Sequence, residues 1–391
     1  MSDRVRFAVI GSAGLIGNYH TGLLTKEDGP YRLAVLCDID EPRLREQCER
    51  LKLPGVTRVE DLVSRADVDA VIVATPHPLH ARHAIAAVQA GKDVLCEKPL
   101  AASPADARAL VKAVRKARRI GGIHYQSRCR PAVMKLKDMI AAGELGRILC
   151  VRLTGSYYKS DFYYTLGGWR GTWADEGGGV LINQAPHDLD LLCHFAAADR
   201  PAELIARWAN LYHTNSQVED IASAAGRFPN GVEFTLNVSV SSHGDPTRID
   251  VLGSAGNVTL VGCEFQRYFR FDKDLVDFAR AYDGPSPYGG PVVTEQPLPQ
   301  VGPHDGALLH KRFAEAVLAR DKSKLLVSVD EGLWSAELIY GVFMSGYTGR
   351  TVKLPASAGR YDKMLANLAG KASHVERLKQ ASQQGMSAIL H

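Results

Sequence analysis

The first 125 residues alternate between two textures, and this alternation narrows the possible folds more than any other feature of the chain. Short runs rich in Val, Leu and Ile occupy residues 5–10, 32–37, 70–74 and 93–96, with a further one at 121–125. Amphipathic stretches of helical length separate them, at 15–24, 41–51, 80–90 and 103–118. Strand and helix alternating at this spacing fold as a parallel sheet with crossover helices. Strands that are apolar throughout are buried on both faces of such a sheet.

The texture changes after residue 125. Residues 132–142 read as a helix closed by Gly143. From Arg147 the pattern favours β structure, with Pro229-Asn230-Gly231 and Ser254-Ala255-Gly256-Asn257 as hairpin-like turns. Strands joined in this way form a largely antiparallel sheet. Residues 284–303 are rich in Gly and Pro and read as irregular, and helical texture returns at 305–319 and 329–345. The fold class expected is α/β: an N-terminal parallel-sheet domain over 1–125, then an α+β domain with a large antiparallel sheet over 126–355. Helices near 305–345 can pack back on the first domain, and 356–391 reads as a polar helical appendage.

Composition removes several function classes. The 391 residues carry 47 Lys+Arg against 43 Asp+Glu, a net charge of +4. The short basic cluster at 112–119 reads as a solvated helix face, so no nucleic-acid partner is expected. Seven cysteines, scattered and never in a C-x-x-C pair, suit free thiols in a reducing compartment rather than disulfides or a zinc site. No apolar run reaches ~18 residues, so no membrane span is expected. The opening MSDRVRFAVIGSAG runs straight into a strand without a signal-peptide pattern, and the expected location is cytoplasmic.

Four segments carry chemistry. Gly11-Ser12-Ala13-Gly14-Leu15-Ile16-Gly17 lies between the first strand and the first helix. Glycines there allow a sharp turn and the close approach of a pyrophosphate, whose charge the helix N-terminus favours. The G-x-x-G-x-x-G spacing alone reads equally well as a plain tight turn. The second strand, however, ends at Asp38, where a carboxylate accepts hydrogen bonds from ribose hydroxyls and repels a 2′-phosphate. Together they point to a dinucleotide, NAD in preference to NADP. Asp40 is an alternative acid, and Arg43 keeps NADP open.

The second segment, Thr75-Pro76-His77-Pro78-Leu79-His80, ends a buried strand, where open α/β sheets bind ligands. His77, His80 and His83 are spaced by three, but no carboxylate or cysteine completes a ligand set, so no metal is expected. The third, Cys96-Glu97-Lys98-Pro99-Leu100, ends the next strand. A lysine there is ordinarily a solvated charge. Beside an oxidised nicotinamide its pKa falls, which suits proton transfer at a hydroxyl being oxidised. The fourth runs from Gly177-Gly178-Gly179 to Asp190. Asn183, His187 and Asp190 fall at i, i+4 and i+7, one face of a helix that begins near Asn183 with Pro186 in its first turn. Without the other motifs, a histidine satisfied at a helix–sheet interface is the favoured reading.

In this order the glycine turn, A-T-P-x-x-x-H, E-K-P-L and G-G-G-x-x-x-N-x-x-x-H resemble the Gfo/Idh/MocA family, the relatives of glucose–fructose oxidoreductase and inositol dehydrogenase. The resemblance covers roughly residues 4–355, including the bridge at 126–148 and the late Gly-Arg-x-Val-x-Leu-Pro. It implies a Rossmann domain followed by an α/β domain with a large, mostly antiparallel sheet. It also implies NAD(P) chemistry on sugars, glycosides or cyclitols, in a homodimer or homotetramer. The family lysine falls on Lys98 and the family histidine on His187. Gly11, Ser12, Ala13, Gly14, Leu15, Ile16, Asp38, Thr75, Pro76, His77, His80, Glu97, Lys98 and Gln126 are expected at the cofactor. Lys98, Arg128, Trp169, Arg170, Asn183 and His187 are expected at the substrate. Many members carry aspartate where this chain has Asn183, which cannot act as acid or base but can orient a sugar hydroxyl.

The expected function is an NAD-dependent dehydrogenase that oxidises a secondary ring hydroxyl, most readily C3, of a sugar, glycoside or cyclitol. His187 is the favoured immediate base, Lys98 polarises the oxygen, and Asn183 completes the catalytic set. Two alternatives stand beside it. One is a glycoside-cleaving enzyme that uses transient C3 oxidation and recycles NAD. The other is a non-catalytic regulator that binds NAD or a sugar.

Overall fold

The computed structural model describes residues 4–26, 29–165, 169–197 and 200–370. They form two compact units. Of the described residues, the first takes those within 4–129, 175–177 and 305–336, and the second those within 130–174, 178–304 and 337–370.

The first unit is built on six strands: β1 (Val5–Ile10), β2 (Tyr31–Cys37), β3 (Gly55–Val56), β4 (Ala70–Val73), β5 (Asp93–Cys96) and β6 (Gly121–Ile123). Their order is β3-β2-β1-β4-β5-β6, and every neighbouring pair is parallel. The crossovers are α1 (Leu15–Lys26), α2 (Glu41–Leu51), α3 (Val59–Val63), α4 (His80–Gln89) and α5 (Pro104–Ala117). This is the doubly wound Rossmann order, and it reverses direction between β1 and β4. The strands are buried because side chains on both faces are apolar: Phe7, Val9, Ile72 and Leu95 on one face and Ala8, Ile10, Val71 and Val94 on the other are all buried. The helix Leu308–Ala319 covers part of this sheet, with Phe313 packed on Phe7 at 5.8 Å between ring centroids.

The second unit carries α6 (Pro131–Ala141), α7 (Val180–Asn183), α8 (Pro186–Phe195) and a nine-stranded sheet. Its strands are β7 (Ile148–Ser156), β8 (Glu203–Ala209), β9 (Ile221–Arg227), β10 (Glu233–Ser239), β11 (Arg248–Gly253), β12 (Gly256–Val261), β13 (Glu264–Phe271), β14 (Val293–Glu295) and β15 (Val352–Lys353). The order is β14-β13-β12-β11-β7-β10-β9-β8-β15, and only β7 and β10 run parallel. Alternation along β10 buries Phe234, Leu236 and Val238 and turns Glu233, Thr235 and Asn237 to solvent, the signature of a sheet with one covered face.

The segment after residue 355 is less polar in its packing than its composition suggests. Its first part forms the helix Ala358–Gly370, which buries Tyr361 and Met364. The Tyr361 ring lies 5.1 Å from that of Tyr340. Residues 371–391 of the expected appendage lie outside the described residues. No described helix is long and apolar enough to cross a membrane.

Candidate active site

In the first unit, the strand-order reversal brings two of the motifs together. β1 and β4 are paired up to Ile10 and Val73, and the Ala74 amide donates to Ile10 O at 2.9 Å. The glycine turn and the Thr75–His80 segment therefore leave the sheet side by side, at the strand ends where such folds bind ligands.

The glycines of the turn have different reasons to be glycine. Gly11 has φ +79°, and a Cβ at Gly17 would stand 2.0 Å from Gly11 O. Those two are demanded by the chain itself. A Cβ at Gly14 would meet only Gly11 O, at 3.6 Å, so nothing in the protein requires a glycine there. Gly14 is exposed at the N-terminus of α1 and faces open space into which an anion can come close. Around it Leu15 and Ile39 are exposed, while Ser12 Oγ is buried without a hydrogen-bond partner. An open backbone cradle, a helix N-terminus and bare apolar side chains fit a dinucleotide. Asp38 closes the turn: its Oδ2 accepts the Ala13 amide at 2.9 Å and its Oδ1 accepts the Asp40 amide at 3.0 Å. Arg43 is exposed and faces Asp40 at 3.4 Å.

The Thr75–His80 segment is shaped from within. His80 is buried, with Nδ1 2.7 Å from Pro99 O and Nε2 2.7 Å from Thr75 O. Both nitrogens are thus engaged by backbone, so His80 shapes the strand ends rather than presenting itself to a ligand. His77 is buried against it, and His83 lies 3.3 Å from Thr75 Oγ1.

Lys98 is half-buried, two residues past the end of β5. Its backbone amide donates to Glu97 Oε2 at 3.0 Å. Burial alone would raise the Glu97 carboxyl, but the charge of His124 and hydrogen bonds from His124 and His20 hold it well below the usual carboxylate range. Glu97 is therefore a fixed anion that anchors the Lys98 backbone. Gln126 is exposed and accepts a 3.3 Å hydrogen bond from Tyr19.

Arg128 departs from expectation. It is 3% exposed, and its guanidinium pairs with Glu331 at 2.5 Å. A buried charge must be paired, and here the partner is a carboxylate of the first unit. Arg128 is a structural tie for the 326–331 segment, not an exposed substrate ligand.

In the second unit, Asn183 ends α7 and His187 lies in the first turn of α8. The single helix expected from Asn183 onward is broken at Gln184 and Ala185, because Pro186 has no amide to continue the ladder. His187 is half-buried and Asp190 fully buried. The entry into α7 is held by Glu219, whose carboxylate accepts the amides of Gly179 at 2.8 Å and Leu181 at 3.0 Å. A Cβ at Gly179 would strike Glu219 O, so the last glycine of the triplet is sterically required.

Asn183 Nδ2 donates to Tyr163 Oη at 2.9 Å, and Gln184 Nε2 to the same oxygen at 3.2 Å. The Arg170 guanidinium lies over the Tyr163 ring at 4.9 Å and the Trp169 ring at 4.4 Å. Trp169, Arg170 and Asn183 are therefore gathered around Tyr163, a residue that sequence reasoning missed. No spacing links it to them, since it sits in a separate short turn, Asp161–Thr165.

Asp188, next to His187 in the chain, is fully enclosed and bonded to Tyr157 Oη. Burial pushes its carboxyl up to about 6. A folded pKa above the unfolded ~3.9 means that the native state binds the proton more tightly. Stability from this group is present below pH ~4 and is lost as pH rises to about 6, a cost on the order of 3 kcal/mol. Asp188→Asn keeps an acceptor for Tyr157 and removes the titration. It is expected to raise Tm at pH 8 clearly more than at pH 5. Equal shifts at both pH values in thermal unfolding would show that Asp188 does not titrate there.

Comparison with known proteins places this geometry among relatives. Residues 5–125 match the family described as an oxidoreductase family with an NAD-binding Rossmann fold. Residues 133–259 match the family described as the GFO/IDH/MocA C-terminal domain. The chain is similar to 1,5-anhydro-D-fructose reductase from Ensifer adhaerens, at 37% identity over 52% of this chain and 60% of that protein. It is also similar to inositol 2-dehydrogenase 1 from Saccharopolyspora erythraea, at 28% identity over 66% of this chain and 74% of that one. Among solved structures, the WlbA dehydrogenase from Chromobacterium violaceum, in complex with NADH and UDP-GlcNAcA, aligns with a TM-score of 0.76 and 28% identity. That alignment covers 91% of this chain and 98% of the other.

Proposed function

The chain belongs to the GFO/IDH/MocA oxidoreductase family, and from that premise we propose that it oxidises a secondary ring hydroxyl of a sugar, glycoside or cyclitol, at C3, to the ketone. Its first unit is an NAD-binding Rossmann domain. NAD, when bound, accepts the hydride from the substrate carbon. The chain's own residues hold the partners and move the proton. Gly14 and the N-terminus of α1 receive the pyrophosphate, and Asp38 takes the ribose hydroxyls, which favours NAD over NADP. Lys98 polarises the reacting oxygen and His187 takes its proton. Orientation of the hydroxyl carries much of the rate, because hydride moves only over van der Waals reach.

The observation that carries the sugar reading is the group around Tyr163. Asn183, a neutral amide, is tethered to the Tyr163 hydroxyl, with the Arg170 guanidinium over the rings of Tyr163 and Trp169. Amide, phenol and guanidinium offer donors and acceptors suited to several adjacent hydroxyls. The names of the relatives, an anhydrofructose reductase and an inositol dehydrogenase, support the same substrate class. The reading includes a homo-oligomer in the cytoplasm, with the exposed Ile205 of β8 and Val293 of β14 as apolar positions available for assembly.

The test is a panel of sugars, glycosides and cyclitols followed by NADH absorbance, with NMR of the product from the best substrate. A 3-keto product with net NADH is expected, and the rate with NADP in place of NAD should be much lower. A lactone from C1 oxidation would make the ring position wrong. A free sugar released without net NADH would favour the glycoside-cleaving route. Activity confined to open-chain alcohols, amino acids or hydroxy acids would remove the sugar reading.

A further inference from the structure

The core of the first unit holds three imidazoles gathered around one carboxylate. His20 lies on α1, His124 directly follows β6, and His310 lies on the helix Leu308–Ala319. None is more than 2% exposed. One ring nitrogen from each lies within 4.8 Å of the other two. The ring centroids are 4.7 Å apart for His20 and His124, and 5.1 Å from His310 to each of them. Glu97 Oε1 stands 2.9 Å from His20 Nε2 and 2.8 Å from His124 Nδ1. His20 Nδ1 is 2.9 Å from His310 Nε2.

The proton positions follow from these partners. Glu97 Oε1 lies within hydrogen-bond reach of both the His20 and His124 rings and, as a carboxylate oxygen, accepts from each. His20 therefore carries its proton on Nε2, and His124 carries one on Nδ1. His20 Nδ1 is then a lone pair, which accepts from His310 Nε2–H. A metal takes imidazole in its neutral form, through a ring-nitrogen lone pair. His124 Nε2 and His310 Nδ1 are both buried without any hydrogen-bond partner. A buried polar atom left unmet is costly, so two in one cluster call for an occupant.

We infer that His20, His124 and His310 form a binding site for a divalent transition metal, Zn2+ foremost. Ligating histidines characteristically donate their other N–H to a carboxylate, which fixes the tautomer. Glu97 already does this for two of the three rings, leaving His20 Nδ1 and His124 Nε2 as the donors to the ion. His310 joins through Nε2 once its proton moves to the vacant Nδ1, a tautomer change that alters no charge. Three imidazoles suit Zn2+, Cu2+ or Ni2+ and leave a fourth position for water. The same Glu97 anchors the Lys98 amide, so the ion would tie α1 and the helix Leu308–Ala319 to the strand end that carries Lys98. These histidines share no sequence pattern with His77, His80 and His83.

Full-length protein stripped with a chelator and dialysed is titrated with Co2+ and then Zn2+. Stoichiometric uptake by elemental analysis is expected, with the visible ligand-field bands of tetrahedral cobalt and their loss when Zn2+ displaces it. Tm should rise with metal concentration, because the ion binds only the folded chain. His124→Gln and His310→Gln should each lose the bands and the stoichiometric ion. Wild-type protein that takes up no stoichiometric metal overturns the assignment. So do folded variants that keep the same bands. If a variant fails to fold, the wild-type titration decides alone.

Discussion

Replacing Lys98 with alanine is expected to lower kcat by about 10²-fold or more, and His187→Ala to do the same, since each removes a positioned acid–base group. The two losses should differ in their accompaniments. His187 belongs to the second unit, so NADH affinity, read by fluorescence titration, should change little in His187→Ala. Lys98 directly follows Glu97 past the end of β5, and on the proposed reading its loss removes a cation close to the bound cofactor. Lys98→Ala should therefore shift the pH dependence of kcat/KM as well as its height. Steady-state rates with the substrate found by the panel check both. A near-normal kcat in either variant takes that residue out of the chemistry.

The parallel sheet was legible because burial on both faces writes itself into a sequence as unbroken apolar runs. Residues 5–10 and 93–96 coincide with β1 and β5 for that reason. The hairpin turns likewise announce the antiparallel sheet, with Pro229-Asn230-Gly231 standing between β9 and β10. The parallel β7–β10 pair carried no such mark, since nothing local tells β7 which later strand will lie beside it. Side-chain roles were harder to read than positions. Arg128 occupies its motif but turns inward to Glu331, a partner 203 positions along the chain. Tyr163 and the three core histidines come together only through tertiary packing. Tyr361 looked like part of a polar tail because a single buried ring hardly changes the average character of a helix whose other face is solvated. Pro186 does sit in the first turn of α8, yet its missing amide splits the helix that the i, i+4 spacing of Asn183 and His187 predicts.

The sharpest separation between folding and cofactor binding should come from two glycines three positions apart. Gly17→Ala would put a methyl 2.0 Å from Gly11 O and 2.6 Å from the Ser12 Cα, all of it backbone that cannot rotate away. Forcing α1 off β1 at that point should cost on the order of 3 kcal/mol or more and lower Tm substantially. Gly14→Ala meets only an ordinary contact at 3.6 Å, and its backbone is not in the left-handed region. Its stability should be unchanged or slightly raised, by about 0.4–1 kcal/mol from the stiffer unfolded chain. Yet on the proposed reading the new methyl stands where the pyrophosphate approaches the N-terminus of α1, so NADH affinity should fall at least tenfold. Thermal unfolding and NADH titration of the two variants, run side by side, read these effects independently. Unaltered NADH binding in Gly14→Ala would mean that the turn closes the strand–helix junction and does not cradle the cofactor.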